Sequence, residues 1–200
     1  MKFYDYRDSG NGYKCRLLFR FLDLPVEVIE MDILKGETRQ PAFLAINPDG
    51  RIPVLVMDDG RVLPESNAIL FHFAEGTRFM PADPWDRAQA MRWMFFEQYR
   101  HEPNIAVARF LLQHTAPDDP RREALAGKQA EGARVLAQME AHLAGRDFLV
   151  GDACSLADIA LFAYTHVADE GGFDMAPFGA IAAWIDRVKA LPGWAPMATA

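Results

Sequence analysis

The sequence predicts an α/β unit followed by an all-α unit, and three observations carry that prediction. Strand-like and helix-like stretches alternate as far as Gly76, no strand pattern recurs beyond it, and Pro81-Ala82-Asp83-Pro84 interrupts the chain between the two regimes. The expected division is an α/β domain over 1–76, a linker over 77–86 and a helical bundle domain over 87–200.

Phe3 to Tyr6 is a short aromatic run that reads as the first strand, after which Tyr13, Leu17, Leu18, Phe21 and Leu22 recur at helical spacing up to Pro25. Val26 to Met31 reads as a second strand. A helical segment after Gly36 carries Phe43, Leu44 and Ile46 into Asn47-Pro48-Asp49-Gly50, a strong turn signal. Pro53 to Met57 and Arg61 to Leu63 flank Asp58-Asp59-Gly60 as the arms of a hairpin, and Ser66 to Ala74 closes the unit as a helix with Ile69, Leu70 and Phe73 on one face. The order is βαβ, helix, ββα. Beyond the linker, a long helix is expected from Arg87 to about His114 with a kink at Pro103. A second runs from Arg121 to Ala144 with Leu136, Met139 and Leu143 on one face, and a last one carries Ile181, Trp184, Ile185 and Val188 before Leu191-Pro192-Gly193 stops it. These stripes are core packing first and pocket walls second.

Composition narrows the function. Half of the 200 residues are hydrophobic and 24% are charged, which describes an ordinary globular protein. No run of eighteen apolar residues occurs and the first residues lack the apolar centre of a secretion signal, so neither a membrane span nor export is expected and the cytoplasm is the expected location. The net charge of -7 argues against a nucleic-acid partner, whose phosphates call for clustered Lys and Arg. Cys15 and Cys154 are too few for a disulfide framework, and the histidines show no metal-ligand spacing, so no metal is expected.

Two short segments carry chemistry. Ile52-Pro53 lies between a turn and a strand; a trans proline opening an edge strand is one reading, and a cis peptide that turns the Ile52 backbone outward as a pairing edge is the other. Leu63-Pro64-Glu65-Ser66-Asn67-Ala68 leads into a helix whose first N–H groups face outward and suit a carboxylate, while Glu65 suits an ammonium group. Together they fit an α-amino-acid head, although a plain Ser cap beside an acidic residue explains them equally well.

Taken together, Asn47-Pro48-x-Gly50-x-Ile52-Pro53-Val54-Leu55 and Glu65-Ser66-Asn67-Ala68-Ile69 resemble the glutathione-site signature of the glutathione transferase family. The resemblance implies a thioredoxin-like first domain that binds glutathione and a helical second domain. It implies that the backbone of Ile52, before Pro53, pairs with the tripeptide, that Arg51 and Thr38 contact the glycyl end, and that Glu65 and Ser66 take the γ-glutamyl end. It extends to Ser155-Leu156-Ala157-Asp158, which is similar to the family's capping box, in which Ser155 and Asp158 cap each other and serve folding rather than catalysis.

Family members activate the sulfur with a residue just after the first strand, which here is Ser9-Gly10-Asn11-Gly12-Tyr13-Lys14. Ser9 is the first candidate to donate to the thiolate and Asn11 the second, while the phenol of Tyr13 stays open; good loop chemistry alone also explains Ser-Gly-Asn-Gly. Bacterial members similar in this loop often carry Cys where this chain has Gly12, and Cys15 lies a turn too late to be a redox nucleophile. The electrophile pocket implied by the resemblance lies between this loop and the long helix, with Tyr13, Tyr99, Arg100 and Arg109 as candidates beside Phe95 and Phe96. The implied reaction is conjugation of glutathione to a small hydrophobic electrophile by a homodimer. Peroxide reduction, dehalogenation or isomerisation on the same site, and a non-enzymatic binding module, are the alternatives.

Overall fold

A computed structural model describes residues 1–200. The chain divides into two compact units, Met1–Thr77 together with Pro192–Ala200, and Arg78–Leu191.

The first unit is built on a four-stranded mixed sheet of order β2-β1-β3-β4. Strands β1 (Lys2–Asp5) and β2 (Glu27–Glu30) run parallel with Phe3 opposite Val28, which requires the crossover that helix α1 (Gly10–Phe21) supplies. Strand β3 (Val54–Val56) pairs antiparallel with β1, Leu55 opposite Phe3, and returns through the Asp58-Asp59-Gly60 turn to β4 (Val62–Pro64). Gly60 has φ of 85°, the left-handed conformation this tight return demands. The pleat sends Phe3 and Asp5 to one face of the sheet, where α1 and α3 (Ser66–Ala74) pack. Phe3, Cys15, Phe19, Leu55 and Ile69 make the core there, with Phe19 edge-on to both Phe3 and Phe73 at 5.3 Å. The opposite face receives the one-turn helix α2 (Pro41–Leu44), whose Phe43 meets Tyr4 edge-on.

The last nine residues correct the expected domain boundary at 200: they group with the first unit, not with the helical one. The reason is a stripe on α1. The Tyr13 hydroxyl donates to the Ala195 carbonyl at 2.7 Å, Arg16 to those of Met197 and Ala200 at 2.9 and 3.3 Å, and Arg20 to that of Gly193 at 3.1 Å. Spaced i, i+3 and i+7, these side chains share one helix face and hold a backbone with no sheet or helix partner of its own.

The second unit is helical: α4 (Pro84–Phe96), α5 (Glu102–His114), α6 (Leu125–Leu143), α7 (Leu156–Thr165) and α8 (Gly179–Lys189). Pro84 belongs to α4 and not to a linker, because Asp83 caps the Trp85 and Asp86 N–H groups and Pro is tolerated in the first turn. The single long helix expected over 87–114 is broken by a π-helical segment, Glu97–His101, that absorbs the N–H missing at Pro103 in the first turn of α5. A 3₁₀ turn, Pro120–Ala124, takes the first residues expected of α6. Trp93, Ile105, Leu136, Met139, Phe162 and Trp184 fill the interior. No helix is long and apolar enough to cross a membrane.

Candidate functional site

Three segments of the first unit carry the site candidates, and the first and third of them meet. The first is the start of α1. Ser9 caps it, its Oγ accepting from the Gly12 N–H at 3.3 Å, which leaves the hydroxyl proton to be donated elsewhere. Gly12 is a glycine of necessity: a Cβ there would lie 1.6 Å from Asp5 Oδ1. Asp5 is fully buried against Arg16, whose Nε stands 2.9 Å from Oδ2, and burial pushes its carboxyl up to about 7 despite the guanidinium. A Cys at position 12 would therefore collide with Asp5.

The second segment is the turn before β3. Asn47 Nδ2 donates to the Arg51 carbonyl at 2.9 Å and the Gly50 N–H to the Asn47 carbonyl at 2.9 Å, so the turn is closed from within. Gly50 has φ of 61°, and a Cβ there would come within 2.9 Å of the Thr38 carbonyl. The Ile52–Pro53 peptide bond is cis, which decides between the two readings of that dipeptide. A cavity of about 280 Å³ opens here, lined by Ile33, Thr38, Arg39, Gly50, Arg51 and Ile52. Arg39 and Arg51 are exposed at its wall, so their guanidinium groups suit a carboxylate. Ile33 and Arg39 escaped the sequence reading; the clue was their nearness to Thr38 in the chain.

The third segment is the start of α3. Glu65, exposed, holds φ of 72° and ψ of 112°, a conformation a non-glycine residue adopts only when its surroundings impose it. Ser66 is buried, and its Oγ stands 3.4 Å from Asn11 Oδ1 and 3.4 Å from Lys14 Nζ. One hydroxyl thus joins the loop of the sulfur candidates to the helix end of the carboxylate candidates. Lys14 lies within the loop motif, where the sequence alone assigns it no role.

The remaining candidates are placed elsewhere. Tyr13 is fully buried, with its hydroxyl on Ala195 and burial pushing its phenol up to about 12, so it is core rather than pocket wall. Arg109 forms an ion pair with Glu170 at 2.5 Å inside the helical unit. Arg100 reaches Gln138 at 3.0 Å and Glu131 at 3.3 Å, and Tyr99 is 82% exposed. Cys15 packs in the core, where burial pushes its thiol well up and makes it inert. Ser155 and Asp158 form the expected capping box: Asp158 accepts from Ser155 N and Oγ at 2.8 Å, Leu149 N at 2.8 Å and Trp184 Nε1 at 2.9 Å. No three His, Cys, Asp or Glu side chains cluster as metal ligands.

Comparison with known proteins meets this geometry at both ends of the chain. The family model for the glutathione S-transferase N-terminal domain matches residues 1–75, and that for the C-terminal domain matches residues 100–192. The chain belongs to the glutathione S-transferase family. Glutathione S-transferase F10 of Arabidopsis thaliana is 32% identical over 184 residues, covering 84% of this chain and 82% of its own. A crystal structure of glutathione S-transferase from Pseudomonas fluorescens Pf-5 is 49% identical with a TM-score of 0.95, covering 98% of each chain. Ure2p in complex with glutathione is 26% identical with a TM-score of 0.85, covering 96% of this chain and 95% of that one. The thioredoxin-like first domain and the helical second domain of this glutathione S-transferase are those of its family.

Proposed function

We propose that this transferase holds glutathione as its thiolate and delivers the sulfur to a small hydrophobic electrophile. The observation that carries the reading is the Asn11–Ser66 bridge, because it holds the loop of the sulfur candidates 3.4 Å from the helix end of the carboxylate candidates. In this reading the backbone N–H groups at the start of α3, that of Ser66 among them, take the γ-glutamyl carboxylate, and Glu65 takes its ammonium group. The Ile52 backbone pairs with the cysteinyl residue, and Thr38 and Arg51, with Arg39, face the glycyl carboxylate.

Ser9 and Asn11 then donate hydrogen bonds to the sulfur at the positive end of α1. A thiol of pKa near 8.5 is about 3% ionised at pH 7, and lowering it by ~2 units, about 2.7 kcal/mol, makes it roughly 75% ionised. That is a gain of about twenty-five-fold, and positioning supplies the rest. The thiol proton passes to solvent, a carbon–sulfur bond forms, and the leaving group departs with its electron pair.

The same reading places the enzyme in the cytoplasm as a homodimer. Phe71 on α3 and, on the helical unit, Trp85, Phe95 and Tyr99 are large exposed apolar side chains that suit a subunit interface. Light scattering on the purified protein gives the mass. For the activity, the full chain is passed over immobilised glutathione and the ultraviolet absorbance of the bound thiolate is titrated against pH. Retention that weakens in Glu65→Ala, with a thiol pKa that rises in Ser9→Ala or Asn11→Ala, is the expected result. Passage without retention counts against the reading, and a panel of aryl chlorides, peroxides and activated alkenes separates conjugation from other chemistry on the same thiolate.

A further inference from the structure

Lys14 is fully excluded from solvent, in the middle of a helix whose neighbouring residues Tyr13, Cys15, Leu17 and Leu18 are apolar core. Burying an ammonium group is costly, and a Leu or Met would serve packing alone. Its Nζ instead lies 3.4 Å from Ser66 Oγ. An ammonium group carries donors only, so Ser66 Oγ accepts there, and the serine proton is directed to the other neighbour, Asn11 Oδ1 at 3.4 Å. The order Lys14 → Ser66 → Asn11 therefore has one direction. It assigns the Asn11 amide as well: Oδ1 faces the serine proton, and the N–H donors of Nδ2 occupy the other end.

We propose that Lys14 is a positioning residue for the glutathione sulfur, acting through Ser66 to hold the Asn11 amide with its N–H donors turned to the thiolate. The inference rests on the reading of Asn11 as a donor to that thiolate. Without a charged donor at position 14, the Ser66 hydroxyl loses the partner that fixes its direction, and the Asn11 oxygen loses the proton aimed at it, which weakens the hold on the amide's orientation toward a negative sulfur. Both hydrogen bonds are long, so each alone is weak. A charge at the head of the chain polarises the bonds after it and strengthens the last donor in the row.

The test compares the full-length wild type with Lys14→Met, which keeps the volume and removes the charge, with Asn11→Ala, and with the double variant. Two quantities are read: the pKa of the bound glutathione thiol from its ultraviolet absorbance, and kcat and KM with an activated aryl chloride. The expected result for Lys14→Met is a thiol pKa higher by about one unit and a kcat at pH 7 lower by up to about tenfold, with KM for glutathione changed by about twofold or less. The double variant is expected to be no worse than Asn11→Ala alone, because the lysine acts through that amide. Lys14→Gln, which keeps an N–H donor, recovers part of the loss and replaces Lys14→Met should the latter fail to fold.

A rise in KM with the thiol pKa unchanged would mean that Lys14 serves the γ-glutamyl carboxylate, and multiplying losses in the double variant would mean that it acts independently of Asn11. Either overturns the inference while leaving the glutathione reading intact. A wild type that produces no thiolate signal with glutathione overturns the reading itself.

Discussion

Gly12 lies so close over the Asp5 carboxylate that a methyl group on its Cα would sit 1.6 Å from Oδ1. Asp5 has nowhere to retreat, being fully buried and held by Arg16 at 2.9 Å. Gly12→Ala is therefore expected to cost about 1–3 kcal/mol as an overpacking change, which lowers the melting temperature of a chain of this size by roughly 2–12 °C. Differential scanning fluorimetry reads it. An unchanged melting temperature would show that the strand and helix separate more easily than their packing implies.

Glu65 is strained and exposed, with φ of 72°. Glycine relieves that conformation, worth about 1 kcal/mol or more, though the unfolded chain gains some freedom in return. Glu65→Gly is expected to melt at the same temperature as the wild type or a few degrees higher while its retention on immobilised glutathione falls. Stability and ligand binding moving down together would mean that Glu65 is structural.

Asp158 is fully buried and accepts four hydrogen bonds, and burial still pushes its carboxyl above the ordinary range. Asp158→Ala leaves the donors of Ser155, Leu149 and Trp184 without their acceptor, a loss of about 2–5 kcal/mol by urea denaturation. Glutathione affinity of the fraction that remains folded is expected to stay at the wild-type value, since the residue caps α7 and touches none of the glutathione-site candidates.

His166 stacks on Phe162 at 4.5 Å, and burial lowers its pKa from 6.5 to about 4, with Lys189 pulling the same way and Glu170 opposing. Between those values the unfolded chain binds a proton that the folded one does not. Its contribution to stability is thus complete above pH 6.5 and lost as pH falls towards 4, at most about 3 kcal/mol. His166→Phe, which keeps a stacked ring, is expected to flatten the urea midpoint over that window. Asp5 tilts the other way: with its carboxyl pushed from 3.8 up to about 7, the folded state binds the extra proton, and that contribution is present below pH 4 and lost as pH rises through 7. A His166→Phe profile identical to the wild type would contradict the burial of that imidazole.

What the amino-acid sequence determined by itself is what local chemistry dictates. The period of the apolar residues set the type of the strands and of α1, α3, α6 and α8, Asp58-Asp59-Gly60 the hairpin, and Ser155 with Asp158 the start of α7, because a turn or a cap is settled among residues a few positions apart. Asn47 to Gly50 announced a turn in the same way, but whether Ile52–Pro53 is cis and whether Glu65 holds a φ of 72° was left to the folded chain. The tertiary structure alone decided who meets whom across long separations. Periodicity shows that Tyr13, Arg16 and Arg20 share a face of α1, but nothing local says that residues 193–200 lie on it. Arg39 joined the cavity wall, Tyr13 left the pocket for the core, and Lys14 turned inwards to Ser66, 52 positions away, because burial is a property of the assembled fold. A helix pattern states which side of a residue is covered, and only the packed chain states by what.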